Sequence, residues 1–139
     1  MAETAILAAL AQCGVAMSGP AMLSVLLTDD AAQRTLNAQW RQIDKSTNVL
    51  SFPSIEPFTP LNGLIGDISM ARETLEREAK ELDKSFTDHF THLLVHGFLH
   101  CLGYDHENEA DALVMEGLET QILASLGLDD PYAGDGPML

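Results

Sequence analysis

The sequence is short of positive charge. Seven Lys and Arg stand against 21 Asp and Glu, for a formal net charge of −14. All seven lie between Arg34 and Lys84, and residues 85–139 carry none. So acidic a chain repels polyanions at long range, which excludes general adhesion to nucleic acid or to an anionic membrane. Cysteine is scarce too. Cys13 and Cys101 are far apart and in no paired motif, which argues against a disulfide scaffold and for a reducing compartment. No apolar run approaches the roughly 20 residues that a membrane helix needs. The opening MAETAILAALAQCG has an acid and no Lys or Arg before its short apolar run, so it does not read as a secretory leader. The expectation is a soluble, cytoplasmic protein. With 139 residues, 46 % of them apolar, the chain has enough for one hydrophobic core.

Ala and Leu over residues 2–12 predict a helix that Ser18-Gly19-Pro20 ends. AMLSVLLT (21–28) reads as a buried strand between breakers and acids. Thr28-Asp29-Asp30 offers caps for a helix to about Gln42, on which Leu36 and Trp40 share a face. The Trp40 ring is expected to anchor the end of that helix in the core. TNVLSF (47–52) is β-prone and stops at Pro53; residues 54–63 read as a loop. GLIGDISM (63–70) reads as a strand whose interior glycines suggest a bulge. A charged helix spans 71–84, and Ser85 with Asp88 has capping-box spacing for a helix from Phe86 to about Leu102. Gly103 stands where a left-handed C-terminal residue belongs. A last helix covers about 108–126. The order predicts one α+β domain with a small sheet over 1–126, and a flexible Gly/Pro-rich tail over 127–139.

Histidine is concentrated. HGFLHCLGYDH (96–106) holds three of the five in the chain. On a helix, four residues turn about 400°, so His96 and His100 lie about 40° apart on one face. Their Cβ atoms are about 6 Å apart, within reach of one ion. Gly103 lets the chain reverse, and His106 can swing back beneath the same face. Two helical imidazoles and one from the turn, with a fourth position open to water, is the layout of a catalytic zinc site. The spacing His-x-x-x-His-x-x-Gly-x-x-His is that of metzincin proteases, except that their general-base Glu is replaced by Gly97. Met115 falls in a helical pattern rather than in a methionine turn. A zinc-bound water already titrates near neutral pH, so a reaction limited by charge neutralisation, such as phosphodiester cleavage, fits better than peptide cleavage. His92 continues the face one turn upstream and suits a supporting role. His89 reads as solvent-facing or packed, and Cys101 as core. Asp105 either orients a histidine or caps the turn.

HGFLHCLGYDH closely resembles the signature of the YbeY family of bacterial endoribonucleases. LNAQWRQIDKSTNVLSFP (36–53) and IGDISM (65–70) are similar to two further blocks of that family, in the same order. The resemblance implies a zincin-like α+β fold, a small mixed sheet packed on helices, with one zinc, or another divalent transition metal, on His96, His100 and His106. It implies single-strand-specific RNA cleavage in 16S rRNA 3′-end maturation and ribosome quality control. It also implies small ribosomal subunit proteins and an assembly GTPase as partners, and places the functional arginine of the family on Arg41. A guanidinium grips phosphate bidentately; an ion pair with Asp44 or Glu56 is the structural alternative for Arg41. Asn48 and Ser51 would help hold substrate if their strand borders the cleft, or else satisfy backbone groups. Ser46 replaces a family proline, Cys101 a leucine. The first strand of the family has no counterpart before the first helix: either that edge strand is absent or the start has been trimmed, and the sheet is expected to be one strand short. Two other readings stay open: a metal-dependent hydrolase of another substrate, and a non-catalytic assembly factor with a structural zinc.

Overall fold

The computed structural model describes residues 2–41, 47–105 and 108–128. Eight elements follow in order: α1 (Ala2–Cys13), β1 (Met17–Thr28), α2 (Asp30–Arg41), β2 (Val49–Pro53), β3 (Leu61–Ala71), α3 (Arg72–Glu81), α4 (Phe86–Leu102) and α5 (Glu109–Ser125). The strands form one sheet ordered β1-β3-β2, with β1 parallel and β2 antiparallel to β3. The result is the α+β architecture with a small mixed sheet that the sequence predicts. Ser85 caps α4 by accepting from the Asp88 amide at 3.1 Å, and the Asp29 carboxylate accepts from the Ala32 amide at 2.7 Å at the start of α2.

Paired residues on neighbouring strands share a face. Asp67, Ser69, Leu50 and Phe52 face α2, where Gln33 exchanges hydrogen bonds with Ser69 and Trp40 meets Phe52 edge-on. Ile68, Met70, Val49 and Ser51 face α4. The other side of α4 meets α1 and α5, so this helix runs through the core. Phe98, Leu94 and Leu99 on it have no exposure, and burying each such side chain is worth about 1.5–3 kcal/mol.

Three expectations fail here. β1 is not a buried strand: it forms an edge of the sheet, and Met22, Leu26 and Leu27 are exposed. Apolar content fixed its strand character, but burial depends on what covers it, and β3 alone pairs with it among the described residues. Ser18-Gly19-Pro20 does not end α1, which stops at Cys13; it falls inside β1, where the register with β3 shifts between Met17 and Ala21. A second shift, between Met22 and Leu23, skips Ile65 of β3, which is the bulge the glycines suggest. Trp40 does not anchor α2 in the core. Its ring is 63 % exposed, and Gln33 and Asn37 make the buried face of α2.

Candidate metal centre

α4 presents His89, His92, His96 and His100 along one side. Its C-terminal turn is built by Gly103, at φ 121°, which closes a paired hydrogen-bond motif: Tyr104 N donates to Leu99 O and Gly103 N to His100 O. A side chain at Gly103 would meet the strained φ and also the Cβ of Pro57 at 2.8 Å. The turn brings the Tyr104 carbonyl to His100, where it accepts from Nδ1 at 3.0 Å. His96 Nδ1 is held in turn by the Glu119 carboxylate at 2.6 Å. With both Nδ1 atoms engaged, the two Nε2 atoms point at each other across 3.1 Å.

That separation permits a test of fit. Two nitrogens bound tetrahedrally at 2.0–2.1 Å from zinc lie about 3.3 Å apart. The imidazole pair therefore needs only a small adjustment to share one ion, and the Nδ1 contacts select the tautomer that leaves Nε2 available. His106, the third histidine of the motif, lies outside the described residues. Among those described, no group of three or more His, Cys, Asp or Glu is placed to hold a metal.

The Nε2 pair opens into a cleft of about 680 Å³ whose wall includes Asn48, Ser51, Pro53, His96, His100 and Asp105. β2, the other sheet edge, forms one side of it. Asn48 and Ser51 are thus both beside the histidines, although the Asn48 amide also donates to Glu78 at 3.3 Å. None of the described residues lining the cleft is Lys or Arg. Arg41 ends α2, on the segment leading to β2; its side chain, like Asp44 and Lys45, lies outside the described residues.

Gly97 is explained by packing. A Cβ there would lie 3.0 Å from Ser51 Oγ and 3.2 Å from Ile68 Cγ2. The helix approaches β2 and β3 so closely that a side chain at the position of the protease base would require Ser51 and Ile68 to shift by a few tenths of an ångström. Cys101 is core, as expected. Desolvation, helped by the Asp67 charge, pushes its thiol up to about 11.

Three relationships were not read from the sequence. Glu119, fully buried on α5, touches His96 and also accepts from His92 Nε2 at 3.0 Å. His89 is buried and meets Glu78 at 2.8 Å. Cys13 sits beside Tyr104, with burial raising its thiol. For Glu119 there was a signal. It shares the apolar stripe Met115–Ile122–Leu123 of α5, where an acid has no place without a partner.

The profile of the family "Endoribonuclease YbeY" matches residues 1–127. The chain belongs to the YbeY family. An endoribonuclease YbeY of Rhizobium etli (strain CIAT 652) is 62 % identical over 117 residues, covering 83 % of this chain and 68 % of that protein. One from Agrobacterium fabrum (strain C58) is 61 % identical over 121 residues, covering 86 % and 72 %. The solution structure of TM1509 from Thermotoga maritima shares the fold at a TM-score of 0.56 and 23 % identity, over 94 % of this chain and 87 % of that one. No helix among the described residues is long and apolar enough to cross a membrane.

Proposed function

We propose that this chain is a metal-dependent endoribonuclease that cleaves single-stranded RNA, with one zinc held by His96, His100 and His106. The observation that carries the reading is the facing Nε2 pair, 3.1 Å apart, with both Nδ1 atoms engaged, inside an open cleft. When bound, the metal supplies a Lewis acid and lowers the pKa of water. The residues of the chain do the rest. Asn48 and Ser51 hold the RNA backbone along β2. Arg41 grips the phosphate as charge develops. The packing at Gly97 explains why a protease-type base is missing, and favours phosphodiester over peptide cleavage.

The family points further, to 16S rRNA 3′-end maturation and ribosome quality control in the cytoplasm, beside small ribosomal subunit proteins and an assembly GTPase. The net charge of −14 supports targeting by such partners, because the protein has little long-range attraction for naked RNA.

The test compares wild type, His100→Ala, Arg41→Ala and Arg41→Lys on single-stranded and fully paired RNA of one sequence. Wild type is expected to cut the single strand selectively, and His100→Ala not at all. Arg41→Ala should lose about two to three powers of ten in rate, about 3–4 kcal/mol. Arg41→Lys should recover only part, because an ammonium cannot reproduce the bidentate fork. Wild-type cleavage by His100→Ala would overturn the metal reading. Wild-type cleavage by Arg41→Ala, with metal content unchanged, would remove the phosphate clamp.

A further inference from the structure

The proposed metal site needs its imidazoles fixed in one tautomer and one orientation. For His100 the turn itself does this, through the Tyr104 carbonyl. For His96 the partner comes from a different element, and that partner is a carboxylate with no solvent exposure. Glu119 reaches from α5 with its two oxygens divided: Oε1 meets His96 Nδ1 at 2.6 Å, and Oε2 meets His92 Nε2 at 3.0 Å.

We infer that Glu119 is the positioning residue of the metal centre, and that His92 braces it. The inference rests on the metal reading given above. A carboxylate buried only to join two helices needs one good partner. Glu119 instead bridges two imidazoles one turn apart on α4, one of them a proposed ligand. Accepting from Nδ1–H leaves the lone pair of His96 on Nε2, which faces His100. His92 contacts the other oxygen, so the carboxylate cannot rotate away without giving up that contact. α5 thereby reaches the metal site without contributing a ligand to it. This also gives the histidine one turn above the ligands a defined task, although its ring is too far along the helix to join them.

The experiment uses the full chain and reads metal affinity directly, by competing zinc against a chromophoric chelator. The melting temperature of the metal-free form is recorded alongside. Glu119→Gln is nearly isosteric: its carbonyl can still accept from His96, and its amide can donate to His92 Nε2 once that ring carries its proton on Nδ1. The metal-free fold should therefore stay close to wild type, while zinc affinity falls about 10–100-fold, the usual effect of losing such a partner. His92→Gln touches only the brace and should lower the affinity by less than Glu119→Gln does, yet measurably. A structural clamp would show the opposite split, with a lowered melting temperature and unchanged affinity. Wild-type affinity in Glu119→Gln overturns the assignment. Should Glu119→Gln fail to fold, His92→Gln decides it by the same measurement, and unchanged affinity there overturns it. If wild-type protein binds no zinc, the metal reading itself falls, and this inference with it.

Discussion

At the scale of single residues, Gly97 separates this chain from the proteases whose histidine spacing it shares. Sequence alone shows that the base is missing. The structure adds that the position is tight, because a Cβ there would crowd Ser51 and Ile68. Replacing it with Ala tests this. Helix propensity alone would favour Ala by about 1 kcal/mol. Overpacking a core contact costs about 1–3 kcal/mol, and Ile68, with almost no exposure, would have to give by a few tenths of an ångström. Gly97→Ala is therefore expected to lower the melting temperature and to displace β2, the cleft wall that carries Asn48 and Ser51. A calorimetric scan checks it; a variant as stable as wild type would show that the helix and sheet have slack. That His96 and His100 share a helix face was legible because spacing along a helix is a local property. Glu119 was not, because its partners lie 23 and 27 residues away and only the packing of α5 on α4 brings them together.

At the scale of elements, local signals were read well and tertiary ones poorly. Ser85, Asp29 and Gly103 mark helix ends by chemistry confined to a few neighbouring residues, and each does so in the structure. β1 and α2 show the limit. AMLSVLLT is apolar whether covered or not, and α2 turns Gln33 and Asn37 inward while Trp40 stays out; for Gln33, Ser69 offers the matching hydrogen bonds. The junction of α2 with α3 makes a further prediction. Asp30 accepts from Thr74 at 2.7 Å and from Arg77 at 3.0 Å. The Thr74 hydroxyl first, and then Arg77, hold its carboxyl below the ordinary 3.8. A lowered carboxyl adds stability that is present above the ordinary value and is lost as pH falls through the lowered one. Asp30→Asn should thus flatten the fall in melting temperature below about pH 4 and change little at neutral pH, where so exposed a pair is worth at most about 1 kcal/mol. An acid limb identical to wild type would contradict that account.

At the scale of the whole molecule, the tension is between charge and substrate. A chain at −14 does not attract RNA at a distance, and the described lining of the cleft adds no Lys or Arg. On the proposed reading, catalysis then rests on a positive pole supplied locally by the metal and by Arg41. This makes metal occupancy the quantity on which the account stands. The direct measurement strips the purified protein with a chelator, returns zinc in sub-stoichiometric steps, and follows cleavage of a single-stranded RNA against zinc bound per chain. The account predicts no cleavage by the stripped protein, a linear rise to a plateau at about one zinc per chain, and no rise in His100→Ala. Undiminished cleavage by the stripped protein would contradict it.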